Sequence, residues 1–123
     1  TRALKTGSFK VMPAQTIADS ISVDVPSNGY LALKNLKTHQ GLCVTVSDAE
    51  ILEAQQKLSA MAGIFAEPAS ATALAGFMKE KENLNPETVC VLLLTGNGLK
   101  DVQAASQIIN IPQTPINSLE ELY

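Results

Sequence analysis

Apolar residues along the chain follow two spacings, one typical of strands and one typical of helices. Residues 17–25 alternate apolar with small or polar side chains, and residues 42–46 are a short β-branched run, so we predict a strand at each. Residues 89–94 form an unbroken apolar run, which is typical of a strand buried on both faces of a parallel sheet. Helical spacing lies between these runs. The alternation predicts an α/β fold, a three-layer sandwich with a mainly parallel sheet.

The predicted helices have recognisable start and stop signals. Ser27 or Asn28 can cap the first helix, which ends near Gly41. The second helix begins with the capping box SDAE and ends at Gly63. Its predicted apolar face consists of Ile51, Ala54, Leu58, Met61 and Ala62. A third helix begins at Pro68, residues 102–109 are helical by pattern, and a short final helix begins at Ser118.

Composition and charge narrow the class of protein. The 123 residues are 46% hydrophobic and 17% charged, which excludes disorder and predicts one domain, with an irregular lead-in over 1–15 and a proline-broken tail over 110–123. A net charge of -3 with scattered basic residues argues against nucleic-acid binding, and no apolar stretch is long enough to cross a membrane. Two cysteines, Cys43 and Cys90, without spaced histidines argue against a disulfide scaffold and a metal site. We expect both thiols to act as small apolar groups in strands, His39 to lie at the surface, and the compartment to be cytoplasmic.

Two residues are candidates for binding chemistry. Thr95 follows the apolar run, and ligands of parallel sheets bind outside the carboxyl ends of strands. Gly96 and Gly98 would let a flat ligand approach without meeting a Cβ. A Thr-Gly-Asn-Gly sequence is also a common turn at the end of a strand, without any ligand. Glu67 precedes the helix that begins at Pro68, so it either complements the helix dipole or lies partly buried beside a ligand. The pattern alone leaves both pairs of alternatives open.

Two blocks of sequence resemble the carboxyl-terminal part of the threonine synthase family. They are GIFAEPASA at residues 63–71 and TGNGLKD at residues 95–101. The segments ISVDVP at 21–26 and VSDAEIL at 46–52 also resemble equivalents in that family. The wider group is the fold-type II, tryptophan synthase beta-like, pyridoxal-phosphate enzymes. Asn97 stands where the family often has histidine, a difference that concerns the subfamily more than the mechanism.

The resemblance implies a function for the complete enzyme and roles for the candidate residues. The enzyme would be a pyridoxal 5'-phosphate-dependent lyase of threonine biosynthesis that converts O-phosphohomoserine and water to threonine and phosphate, as a homodimer. Thr95 would bind the pyridine nitrogen of the cofactor, and Glu67 would lie near the ring. Lys100 is not the lysine that binds the cofactor covalently. That lysine and the glycine-rich phosphate loop would lie in an amino-terminal part, so we expect no catalytic residue in these 123 residues and no activity from the chain alone.

Two other functions remain open from the sequence. A threonine or serine dehydratase, or another enzyme of the same fold type, would share the Glu-Pro block. A non-catalytic small-molecule-binding or regulatory module could retain this half of the fold.

Overall fold

The structure is a computed structural model that describes residues 2–109 and 118–122. Its α-helices are α1 (Arg2–Thr6), α2 (Gly29–Thr38), α3 (Asp48–Ala62), α4 (Pro68–Glu80) and α5 (Val102–Ser106). Short 3-10 turns lie at Asp19–Ile21, Lys81–Asn83, Gly98–Lys100 and Leu119–Leu122. The predicted lead-in therefore contains the short helix α1, and the short final helix predicted from Ser118 is a 3-10 turn. The predictions for residues 110–117 lie outside the described residues.

The core lies where α3 packs against α4. Small side chains dominate this contact, so the two helix backbones can approach closely. Burial of apolar surface in such a contact is the main favourable contribution to folding. The buried residues of the cluster are Ala18, Ile51, Ala54, Leu58, Ala66, Ala71 and Ala75.

Local signals set the ends of these two helices as predicted. The Ser47 side chain accepts a hydrogen bond from the Glu50 amide, and the Glu50 carboxylate accepts one from the Ser47 amide, which completes the capping box of α3. The helix ends at Gly63, whose φ of 66° lies in the left-handed region that favours glycine. Pro68 is the first residue of α4. The structure confirms all three predictions.

The Glu50 carboxylate also joins the start of α3 to the end of α4. Lys79 Nζ lies 2.8 Å from Glu50 Oε1, and the Ser47 amide lies 2.6 Å from Glu50 Oε2. The hydrogen bond from Lys79, followed by those from the Ser47 amide and hydroxyl, lowers the pKa of Glu50 from 4.5 to about 2. Because the folded value lies below the unfolded one, the stabilisation is complete above about pH 4.5 and is lost as the pH falls toward about 2.

Glu50→Gln tests this contribution, because glutamine can still accept the capping hydrogen bond but carries no charge. We expect the stability difference between the wild type and this variant to be constant above pH 4.5 and to shrink as the pH falls toward about 2. Urea denaturation across this pH range measures the difference. Lys79→Met removes the largest cause of the lowered Glu50 pKa, so the contribution of Glu50 should be lost over a narrower pH range. A stability difference between the wild type and Glu50→Gln that does not change with pH would contradict the assignment.

The predicted parallel sheet is wrong for the described part of the chain. Residues 2–109 and 118–122 contain no strand, and the β-type pairing found there is an isolated antiparallel bridge between Ala66 and Asn97. The run over residues 89–94 has no strand assignment, and Val89, Val91 and Leu93 are 90%, 87% and 75% exposed. A strand exists only through hydrogen bonds to a neighbouring strand, and the described residues supply none to this run. The α/β class and its three layers are therefore corrected, for the described residues, to a helical structure whose connecting segments have no strand assignment.

The other two predicted strands fail for the same reason. Residues 17–25 contain the 3-10 turn Asp19–Ile21, and both Val23 and Val25 are exposed. Residues 42–46 have no strand assignment, and Leu42 is exposed. Alternating side chains favour an extended backbone, but they do not provide the partner that makes it a sheet strand.

Further side chains predicted to be buried are exposed. Met61 lies on the predicted apolar face of α3, but 83% of it is exposed, so it does not fill the core. Cys43 and Cys90 are also exposed rather than packed in strands. His39, at the end of α2, is exposed as predicted. Among the described helices, none is long and apolar enough to cross a membrane.

Candidate functional site

The isolated antiparallel bridge brings the two sequence motifs side by side. The Glu67 amide donates to the Gly96 carbonyl at 3.1 Å, and the Gly98 amide donates to the Phe65 carbonyl at 2.8 Å. Residues 65–67 therefore run against residues 96–98. The sequence predicted that the motifs act together, and the structure places them in direct backbone contact.

Ser70 connects the start of α4 to the turn that carries Thr95. Its side chain is 1% exposed. Ser70 Oγ accepts hydrogen bonds from the Thr95 amide at 3.0 Å and the Gly96 amide at 2.6 Å. The same oxygen lies 3.3 Å from Thr95 Oγ1. This buried serine holds the turn by its backbone and touches the candidate hydroxyl directly.

Thr95 directly follows the apolar run over residues 89–94, but in the described residues this run is not a strand, so Thr95 does not lie at the edge of a sheet as predicted. Its side chain is exposed, while its amide and hydroxyl both face Ser70 Oγ. Ser70 Oγ therefore contacts the Thr95 hydroxyl from within the protein, and the exposed Thr95 side chain can be reached from solvent. This arrangement suits a residue that presents one hydrogen bond to a ligand.

Glu67 is a buried carboxylate beside this turn. It is 6% exposed, and its Oε2 accepts from Ser20 Oγ at 2.9 Å and lies 3.2 Å from Lys100 Nζ. Lys100 Nζ also donates to Ser20 Oγ. Burial of a carboxylate is costly unless it is paired and hydrogen-bonded, and these two partners meet that requirement.

Glu67 does not cap α4 through its side chain. It occupies the N-cap position, but within the described residues its side chain accepts no capping hydrogen bond. The carboxylate points instead to Lys100 and Ser20. Glu67 thus lies both at the amino end of α4 and buried beside the Thr95 turn, so its position fits either of the two interpretations.

The glycines of the second motif are required by the protein's own packing. A Cβ on Gly96 would lie 2.1 Å from Glu67 Oε1, and a Cβ on Gly98 would lie 2.6 Å from the Phe65 ring. Neither glycine has a positive φ. The space that the sequence analysis assigned to a flat ligand is thus occupied by Glu67 and Phe65.

A cavity of about 180 Å³ lies next to Glu67 but is separate from the Thr95 hydroxyl. Its lining includes Ser20, Glu67 and Lys100 and does not include Thr95. Ligand pockets usually measure roughly 300–1,000 Å³. The candidate site is therefore the exposed surface at Thr95, with Glu67 behind it.

Ser70 was not predicted as a site residue. Its hydrogen bonds reach a turn 25 residues further along the chain, and such a contact has no local sequence signature. The relevant sequence signal was the run of small residues at the start of α4. Such a run permits close packing but does not indicate which part of the chain packs against it.

Comparison with known proteins identifies the family to which the chain belongs. Residues 1–96 match the family described as pyridoxal-phosphate dependent enzymes. The match covers Glu67, Ser70, Thr95 and Gly96. The chain belongs to the pyridoxal-phosphate-dependent enzyme family, whose cofactor is pyridoxal phosphate.

Within this family the chain is similar to threonine synthases from several organisms. It is 42% identical over 93 residues to the enzyme of Synechocystis sp., covering 76% of this chain and 24% of that protein. It is 41% identical over 93 residues to that of Methanocaldococcus jannaschii, covering 74% and 23%. It is 33% identical over 111 residues to that of Halalkalibacterium halodurans, covering 89% and 31%. The chain thus spans about a quarter to a third of the length of these relatives.

Proposed function

We propose that these residues are the carboxyl-terminal part of a threonine synthase, which converts O-phosphohomoserine and water to threonine and phosphate. The observation that carries the proposal is the 41–42% identity over 93 residues to two proteins with that name. The contact between the two motifs supports it, because it gathers Glu67, Ser70 and Thr95 in one place.

The residues around Thr95 fit one end of pyridoxal phosphate. A pyridine nitrogen has one lone pair in the ring plane, and the exposed Thr95 hydroxyl can donate one hydrogen bond to it. When bound, the cofactor withdraws electrons from the bonds of the substrate that are to be broken. A neutral hydroxyl at the ring nitrogen does not force that atom to be protonated. Thr95 would therefore moderate this withdrawal and fix the rotation of the ring.

Glu67 acts as a positioning residue in this proposal. Its carboxylate is held by Ser20 and Lys100, and the atoms of its side chain lie against Gly96. Gly96 directly follows Thr95, so the buried side chain limits where the Thr95 turn can lie. We do not assign Glu67 a proton transfer, because both of its partners on Oε2 are groups of the protein.

The remaining functions of the enzyme belong to other parts of it. The resemblance places the lysine that binds the cofactor covalently and the loop that binds its phosphate in an amino-terminal part. These 123 residues would supply the ring-nitrogen contact, and activity would require both parts. In line with the resemblance, the complete enzyme acts in the cytoplasm as a homodimer.

An assay of the complete enzyme tests the proposed activity. We expect phosphate release from O-phosphohomoserine with an equal amount of threonine formed. Keto-acid formation from threonine or serine without phosphate release would instead identify a dehydratase. A protein that binds no pyridoxal phosphate would exclude both enzymes and favour a non-catalytic module.

Thr95→Val removes the hydroxyl and keeps the shape of the side chain. One hydrogen bond contributes about 0.5–1.5 kcal/mol, so we expect a roughly two- to tenfold weaker affinity for pyridoxal phosphate in the complete enzyme. Equilibrium dialysis measures this affinity, and the absorbance of the bound cofactor should shift as well. Thr72→Val is a matched control, because among the described residues the Thr72 hydroxyl bonds only to the Pro68 carbonyl of its own helix. Equal affinities for wild type and Thr95→Val would remove Thr95 from the site.

A further inference from the structure

We infer that Ser70 fixes the direction of the Thr95 hydroxyl, so that the Thr95 hydrogen is kept available for a lone pair on the bound ring. The inference rests on the proposed function, because it assigns a positioning role at the same site. Neither the sequence motifs nor the similarity to threonine synthases assigns such a role to Ser70.

The direction follows from counting the hydrogen-bonding capacity of Ser70. A hydroxyl oxygen has two lone pairs and one hydrogen. Ser70 Oγ accepts from the Thr95 amide at 3.0 Å and from the Gly96 amide at 2.6 Å, so both lone pairs are in use. Its contact with Thr95 Oγ1 at 3.3 Å must then be made by the Ser70 hydrogen. Ser70 donates and Thr95 accepts.

The same count leaves the Thr95 hydrogen available. Within the described residues, the Thr95 hydroxyl contacts only Ser70 Oγ, which has no lone pair left to accept it. The Thr95 side chain is exposed, so its hydrogen can be donated outward. An acceptor with a lone pair and no hydrogen is the complementary partner. An unprotonated pyridine nitrogen has this chemistry.

Burial makes this arrangement independent of solvent. Ser70 is 1% exposed, so water does not compete for its hydrogen or its lone pairs. The 3.3 Å contact is longer than the usual 2.7–2.8 Å between hydroxyl oxygens. Hydrogen bonds in a chain polarise one another, so we expect the contact to shorten when Thr95 donates to the ring. Ser70 is a positioning residue, since it acts on the ligand only through Thr95.

The test compares two probes in the complete enzyme. One is pyridoxal phosphate, and the other is the same molecule with the ring nitrogen replaced by C–H, which cannot accept a hydrogen bond. The ratio of the two affinities isolates the ring-nitrogen contact, because general damage to the fold weakens both probes equally. We expect the wild type to prefer pyridoxal phosphate by about two- to tenfold and Thr95→Val to show no preference.

Ser70→Ala is expected to lower the preference toward that of Thr95→Val. Because alanine also leaves the Thr95 and Gly96 amides without this acceptor, Ser70→Cys serves as a second variant, which fills the site with a weaker donor. It should change the ratio in the same direction. Combining Ser70→Ala with Thr95→Val should cause no further loss of preference. Thr72→Val, on the same helix, should keep the wild-type ratio.

The outcomes separate this inference from the proposed function. If the wild type shows no preference between the probes, Thr95 does not contact the ring nitrogen and the proposed site is wrong. If the wild type shows a preference that Thr95→Val abolishes, while the Ser70 variants keep it, the site stands and the role of Ser70 is overturned.

Discussion

Gly96→Ala is expected to destabilise the enzyme by about 1–3 kcal/mol and to weaken cofactor affinity by about tenfold or more. The new Cβ would lie 2.1 Å from Glu67 Oε1, 2.4 Å from Glu67 Cδ and 2.9 Å from Glu67 Cγ. Three overlaps along one buried side chain cannot be relieved by moving its tip alone. Either Glu67 leaves Ser20 and Lys100, or the turn that carries Thr95 moves.

Gly76→Ala is the matched control for this substitution. Gly76 lies inside α4, and a Cβ there would meet only Val44 Cβ at an ordinary 3.9 Å. Alanine in a helix interior is favoured over glycine by roughly 0.5–1 kcal/mol, so this variant should be slightly more stable. Urea denaturation and cofactor dialysis of the complete enzyme measure both variants.

A second substitution identifies the cause of the effect. Glu67→Ala removes the overlapping atoms. The double variant with Gly96→Ala should therefore lose less stability than the sum of the losses of the two single variants. Losses that simply add would show that Glu67 is not the obstacle. A Gly96→Ala enzyme as stable as Gly76→Ala would contradict the close approach itself.

Ile51→Ala is expected to destabilise the enzyme by about 2–5 kcal/mol. Ile51 is 3% exposed and lies in the cluster between α3 and α4, where its loss leaves a cavity among closely packed helices. The midpoint of urea denaturation should fall clearly. Because Ser70 is the third residue of α4, loosening this contact should also weaken cofactor binding.

Met61→Ala is the control, since it truncates an apolar side chain of the same helix that is 83% exposed. A surface substitution of this kind usually changes stability by about 0.5 kcal/mol or less. Comparable losses from the two substitutions would show that the α3–α4 contact is not the main core of this region.

Helix ends could be predicted from the sequence because their signals are local. The capping box from Ser47 to Glu50, the left-handed Gly63 and the first-turn Pro68 each act within a few residues, and each lies where it was predicted. The face of α3 was predicted well for Ile51 and wrongly for Met61. Helical spacing shows which side a residue is on, but not whether another element covers it.

The sheet could not be predicted from the same kind of signal. A strand requires a neighbour, and the described residues offer none to the run over 89–94, whose side chains at Val89, Val91 and Leu93 are exposed. The apolar run before Thr95 indicated a strand buried on both faces, and that prediction was wrong. It could not show whether the pairing residues were present.

The candidate site was predicted in part. Thr95 and Glu67 were identified from their positions beside a strand-like run and a helix start, and the structure places them on either side of Gly96. Ser70 was missed, because its contacts depend on a backbone approach between α4 and a distant turn. The close fit of Glu67 against Gly96 was missed for the same reason.

The nitrogen-15 resonance of labelled pyridoxal phosphate in the complete enzyme tests the central claim most directly. If the Thr95 hydroxyl donates to the ring nitrogen, the wild-type resonance should be that of an unprotonated, hydrogen-bonded pyridine, and Thr95→Val should shift it toward that of a pyridine without a donor. A resonance that is identical in the two proteins, or a protonated ring nitrogen in the wild type, would contradict the account.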